Sequence, residues 1–137
     1  MTDSTKSQVD TLKSDANSYK KLGDYAKAEN CILKGLELKA NDNVLKHELA
    51  KIYFKREKYA GSLELLLDLS NKIKKRQILF KDIAMCYYKM NKLEKALGAV
   101  QISLSENPNN LSSLFVRGLI YREQGNYSES ISSFKRL

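Results

Sequence analysis

Four tyrosines, Tyr19, Tyr53, Tyr87 and Tyr121, follow one another at a constant step of thirty-four. A fixed period of this length is the mark of stacked supersecondary units, and it limits the fold before any residue is assigned to a helix or a strand. Other columns keep the same step. Three positions before each tyrosine stands a small residue: Ala16, Ala50, Ala84 and Gly118. Six positions after it come Tyr25, Tyr59, Leu93 and Tyr127; nine after it, Ala28, Ser62, Ala96 and Ser130. Thirteen after it lie Ile32, Leu66, Val100 and Phe134, all apolar. Of the eight tyrosines only Tyr88 falls outside two of these columns, so chance is not the source of the pattern. With column 1 at Val9, the units are 9–42, 43–76, 77–110 and 111–137, without insertion or deletion. Residues 1–8 precede them as a leader expected to be flexible, and the last unit is seven residues short.

Each unit reads as two amphipathic helices, A and B. In the third, the pattern predicts helix A over Gln77 to Met90 and helix B over Leu93 to Ser105, with Asn91-Lys92 between them and Asn107-Pro108-Asn109-Asn110 closing the unit. Gly23 and Gly125 stand in the A–B turn of the first and fourth units, where a left-handed helix end favours glycine. Small residues at columns 8 and 20 let the two helices approach, and a lone pair cannot bury both its faces, so the units must stack. Small residues at columns 8 and 20, Tyr at 11, an aromatic at 17 and Pro at 32 together resemble the tetratricopeptide repeat. The fourth unit, LSSLFVRGLIYREQGNYSESISSFKRL, is the best match. The second departs most, with Lys46 in a bulky apolar column and Lys75 in the proline column; the first has Asp15 where Leu is usual. The resemblance implies an all-α, right-handed superhelical solenoid of three full repeats and a truncated fourth.

It also implies a concave groove lined by the A helices at columns 2, 5, 6, 9, 12 and 13, and a peptide or helix as its ligand. Those columns carry eight cations and four carboxylates, with apolar residues gathering in the last two units. The partner-binding residues expected on this basis are Lys13, Asn17 and Lys20 in the first unit, and Lys51, Phe54 and Lys55 in the second. Lys81, Met85, Tyr88 and Lys89 follow in the third and Arg122 in the fourth, with Phe115, Val116 and Leu119 on the same face. Surrounding lysines favour an acidic or amphipathic ligand and speed its encounter. One subfamily clamps the carboxylate-terminated tails of chaperones, and Lys13 and Asn17 match its first-unit pair. Glu48, Ile78 and Asp82 depart from its remaining positions, and two carboxylates would repel the tail, so the clamp is not expected here.

Composition narrows the rest. Of the net +8, the second unit carries +5, much of it in Lys72, Lys74, Lys75 and Arg76 at its end. Four cations in five positions could serve nuclear import, nucleic acid or an anionic lipid, but without interleaved aromatics or glycines the run reads first as a solvated connection. Nucleic-acid binding is therefore the less favoured alternative. Catalysis finds no motif: there is one histidine, His47, and no glycine-rich phosphate loop or nucleophile elbow. No catalytic, metal or cofactor residue is assigned. Cys31 and Cys86 are isolated thiols within the helical pattern, which suits a reducing compartment. No apolar run reaches the length of a membrane span, so the expectation is a soluble intracellular protein, cytoplasmic with the nucleus as the alternative.

The reading is therefore a non-catalytic protein–protein interaction module or assembly scaffold. The alternatives are a co-chaperone, a nucleic-acid binder or the regulatory segment of a larger enzyme. Ile131, Phe134 and Leu137 would be left partly uncovered in the last unit. This favours the N-terminal part of a longer array, ahead of partner docking or self-association through that face.

Overall fold

The computed structural model describes residues 3–74 and 76–137. Met1 and Thr2 of the expected leader, and Lys75 of the basic run, lie outside them. The described residues form eight α-helices and no strand. These are α1 (Asp3–Lys21), α2 (Tyr25–Leu38), α3 (Asn43–Lys55), α4 (Tyr59–Ser70), α5 (Gln77–Lys89), α6 (Leu93–Glu106), α7 (Leu111–Glu123) and α8 (Tyr127–Lys135). The sequence period survives in the helices: the starts of α2, α4, α6 and α8 keep its step, and so do the ends of α1, α3, α5 and α7. One expectation is corrected. The leader is helical from Asp3 onward, because no Gly or Pro breaks residues 3–8 and the Asp3 carboxylate favours a helix N-terminus.

The helix ends show why the period is so strict. Gly23, Glu57, Asn91 and Gly125 occupy one column, and all four have positive φ, between 59° and 78°. The residue after each donates its N–H back to the column-11 tyrosine carbonyl: Asp24 to Tyr19, Lys58 to Tyr53, Lys92 to Tyr87 and Asn126 to Tyr121, at 2.8–2.9 Å. This six-to-one bond with a left-handed residue is the Schellman closure of helix A. Asp24 and Asn126 then cap helix B by accepting from Lys27 and Glu129 N–H. Asp42 and Asn110 cap α3 and α7, which start a unit, while Arg76 makes no side-chain cap on α5. Within the A–B turns, the outer repeats thus carry better chemistry, glycine followed by a capping Asp or Asn, than the inner ones with Glu57-Lys58 and Asn91-Lys92.

The chain divides into two compact units, Met1–Leu65 and Leu66–Leu137, and the boundary falls inside α4. In the first, α1 pairs with α2, and α3 packs on α2. Its core joins Val9, Ala16, Ala28, Ile32, Leu45, Leu49 and Ile52, with Tyr19, Tyr25 and Tyr53 half-buried around it. In the second, α5 pairs with α6 and α7 with α8, while α7 also packs on α6 and α5. Leu79, Ile83, Ala84, Ala96, Val100, Leu114 and Ile120 are buried there. The column-8 and column-20 residues are buried in every repeat. In two repeats the column-20 residue is serine, and its hydroxyl donates across the helix pair: Ser62 to the Ala50 carbonyl at 2.7 Å, Ser130 to the Gly118 carbonyl at 2.8 Å.

Gly118 has a further role. A Cβ built there would lie 2.7 Å from Cδ1 and Cζ of Phe134, inside any real carbon contact. Phe134 is the bulkiest residue of its column, where the other repeats have Ile32, Leu66 and Val100 opposite an alanine. Gly118 and Phe134 are therefore a size-matched pair.

Two stability experiments bear on these contacts. Glu57→Gly relieves a left-handed Glu costing about 1–2 kcal/mol while adding unfolded-chain entropy, so the urea midpoint should rise by the equivalent of about 0.5–1 kcal/mol. Asn91→Gly should gain less, since Asn tolerates that conformation. A lower midpoint for Glu57→Gly would contradict the strain. Gly118→Ala should destabilise, because about 1–3 kcal/mol of overpacking exceeds the roughly 1 kcal/mol of helix propensity gained. Combining it with Phe134→Leu should recover about 1 kcal/mol or more relative to additivity. A strictly additive cycle would show that the ring has room to move.

Candidate peptide-binding surfaces

In each compact unit the A helices carry the residues expected to face a ligand. In the first, Lys13, Asn17 and Lys20 follow at i, i+4 and i+7 along α1, and Glu48, Lys51 and Lys55 at i, i+3 and i+7 along α3. Such spacing aligns each trio on one helix face. Lys20 Nζ sits 2.8 Å from Glu48 Oε2, and Lys51 Nζ 3.2 Å from Glu48 Oε1. Lys13 Nζ approaches Asp42 at 3.8 Å, and Lys39 reaches the same carboxylate at 3.3 Å. Asn17 and Lys55 are exposed. Phe54 is half-buried and meets Tyr59 edge-on, with ring centroids 5.2 Å apart.

The two carboxylates differ in kind. Asp42 is 7% exposed and also accepts from the Val44 and Leu45 N–H groups at 2.9 and 3.1 Å. Burial alone would raise its pKa, but the Leu45 hydrogen bond and the Lys13 and Lys39 charges outweigh that and hold it below the usual value. Glu48 is likewise held below its usual value: burial pushes up, and the Lys20 and Lys51 bonds and charges pull down further. Its pairs remain solvent-accessible, with side-chain exposures of 28–47%. Ion pairs of this kind contribute about 0–1 kcal/mol. Asp42 is a structural cap; Glu48 is a surface counter-ion.

In the second compact unit, α5 and α7 lie side by side. Met85 and Tyr88 are half-buried, Lys89 and Arg122 exposed, and Lys81 is paired with Asp82 at 2.6 Å. Ile78 and Phe115 are exposed and Leu119 half-buried, so this surface is chiefly apolar. Val116, expected to face the ligand, is 3% exposed and belongs to the core instead. The reason is that column 6 of α7 turns inward, whereas Asp82 in the same column of α5 stays half-exposed. Ile131 and Leu137 are exposed at 54% and 53%, while Phe134 is half-buried against Phe115, centroids 5.8 Å apart.

Several expectations change character here. Glu48 and Asp82, read as bare repulsive charges, are each offset by lysines. In the basic run, Lys72 pairs with Asp68 at 3.1 Å, and the Arg76 guanidinium lies 4.7 Å over the Phe80 ring. Both are engaged locally. Cys86 is buried and Cys31 half-buried beside the first core, and burial together with Asp15 raises the Cys31 pKa against a smaller opposing effect of Lys34. A thiol so held is a poor nucleophile. The residue missed at the sequence level is Asp42, the buried counter-ion of Lys13, although Asp directly before an apolar helix start is a legible cap signal. No helix is long and apolar enough to cross a membrane among the described residues.

This arrangement defines a helix-pair repeat protein, a class of protein–protein interaction scaffold. Two family profiles agree: one described as tetratricopeptide repeat matches residues 82–137, another of the same description residues 16–42, together more than half of the chain. The chain belongs to the tetratricopeptide repeat family. It is similar to MamA (residue 41 to its end) from Desulfovibrio magneticus, with a TM-score of 0.86 at 18% identity over 93% of this chain and 72% of that one. A thermophilic tetratricopeptide repeat protein of Thermus thermophilus gives 0.82 at 19% identity, over 93% and 72%. One from Parabacteroides merdae gives 0.81 at 22%, over 96% and 52%. At such identities the likeness is one of fold. No curated protein matches the sequence. The family's fold is typically a non-enzymatic interaction module.

Asp42 yields a pH prediction. Its folded pKa is depressed, so its contribution is complete above the ordinary carboxylate range and is lost as pH falls through the folded value. Asp42→Asn, which keeps a capping oxygen but not the charge, should be less stable than wild type near neutrality. The gap in thermal midpoint should close as the pH drops below about 4. A gap independent of pH would mean that charge contributes nothing at this cap.

Proposed function

We propose that the chain is a non-catalytic assembly scaffold that holds a peptide or helix of a partner protein on its A-helix faces. The observation that carries this is the alignment of ligand-type residues on those faces. Lys51 and Lys55 stand exposed on α3, and Lys89 and Arg122 stand exposed beside half-buried Met85, Tyr88 and Leu119 on α5 and α7. Apolar side chains left part-exposed among cations suit an amphipathic or acidic segment, with apolar contacts giving affinity and the cations steering encounter. Membrane insertion and nucleic acid are not part of the reading: the basic run has no interleaved aromatics or glycines, and two of its exposed cations, Lys72 and Arg76, already have local partners in Asp68 and the Phe80 ring.

The test is charge reversal. Lys51→Glu with Lys55→Glu should leave the helical circular dichroism unchanged, because both side chains are exposed. It should weaken retention of proteins captured from cell extract by about tenfold or more, as expected for two reversed contacts of about 1 kcal/mol each. Identical capture by the wild type and the reversed variant would place the binding surface elsewhere.

A further inference from the structure

The first compact unit holds a carboxylate between lysines of two helices, and it comes from the chain itself. Glu48 projects from α3, and its two oxygens are taken separately: Oε2 by Lys20 of α1 at 2.8 Å, Oε1 by Lys51 of α3 at 3.2 Å. Lys21 next to Lys20 in sequence and Lys55 one turn after Lys51 are exposed, and exposed Asn17 lies one turn before Lys20. Across α1 and α3 the ligand-facing columns hold five lysines against Asp10 and Glu48, a surplus of positive charge. Asp42, by contrast, is committed by two backbone amides and burial, and keeps Lys13 with it. Glu48 is held by side-chain contacts that remain open to solvent. An incoming carboxylate can therefore replace Glu48 on Lys20 and Lys51 without uncapping a helix, and the glutamate is released into water.

We infer that Glu48 is an internal stand-in for a ligand carboxylate, and that the α1–α3 face takes an acidic peptide segment whose side chain displaces it from Lys20 and Lys51. This rests on the scaffold reading and adds to it a ligand class and a residue that limits affinity. Lysine ammoniums are point charges without the bidentate fork of arginine, so the face reads density of carboxylate rather than one geometry. A peptide is favoured over nucleic acid because the one phenyl ring among these columns, Phe54, is packed edge-on against Tyr59 rather than offered for base stacking, and no Tyr or Trp stands with it in those columns. The resident carboxylate keeps the empty face from collecting anions indiscriminately and sets a threshold that a single carboxylate does not pass.

The experiment measures anisotropy of a fluorescein-labelled octaglutamate peptide titrated with the full chain at low ionic strength, where exposed charges are least screened. Glu48→Gln, close in shape, should bind about fivefold tighter than wild type, the scale of losing one weak competing ion pair. Glu48→Ala should do the same. Lys20→Gln with Lys51→Gln should weaken binding by about tenfold, and Lys135→Gln, an exposed lysine on α8 outside the ligand-facing columns, should change it by less than about twofold. The inference is overturned if Glu48→Gln binds no tighter than wild type with its circular dichroism intact, or if labelled octathymidylate binds more tightly than octaglutamate. Should octaglutamate bind none of the variants while Lys51→Glu with Lys55→Glu still strips captured proteins, the inference fails and the scaffold reading stands.

Discussion

Every part of this structure depends on how closely helix A can approach helix B within a repeat. The approach is set at columns 8 and 20, where no side chain is larger than serine, and all eight positions are buried. Where serine stands at column 20, it also closes a hydrogen bond to the carbonyl of column 8, at Ala50 and at Gly118. A hydroxyl in so tight a place would be costly without a partner, and a larger residue would part the helices. The close contact in turn dictates the turn: three residues join the helices, one of them left-handed, and the preceding tyrosine carbonyl receives the closing N–H. That is why the helix ends recur at one constant step with no drift.

Given this geometry, the surfaces follow from what is left over. Columns 8, 11 and 15 are consumed by pairing and turning, so the outward columns of the A helices are left free to vary between repeats. There the two compact units differ. The α1–α3 face carries lysines arranged around a resident carboxylate, and the α5–α7 face carries methionine, tyrosine, leucine and phenylalanine with two exposed cations. The first compact unit therefore displays chiefly charge on its A helices, and the second chiefly apolar area.

Much of the fold was legible in the residues. The period, the two-helix unit, the third-unit boundaries to within a residue at each helix end and the burial of the small columns all follow from spacing alone. The misreadings have physical causes. Residues 3–8 are helical because an unbroken polar stretch continues the helix that Val9 anchors in the core, and polarity by itself does not distinguish helix from loop. Val116 is buried although its column faces outward elsewhere, because a column is an average over repeats, whereas burial depends on which neighbour each copy meets.

By itself the sequence determined the architecture, since repetition at a fixed period multiplies one local solution, and local helix pairing depends on residues close together in the chain. Only the tertiary structure decided the state of its side chains. Lys20 and Glu48 are 28 positions apart, and nothing in their spacing says that they meet at 2.8 Å. Gly118 and Phe134 are likewise matched only when α7 and α8 are laid together. Charge and volume become interactions at ångström range, and that range exists only after the helices have packed.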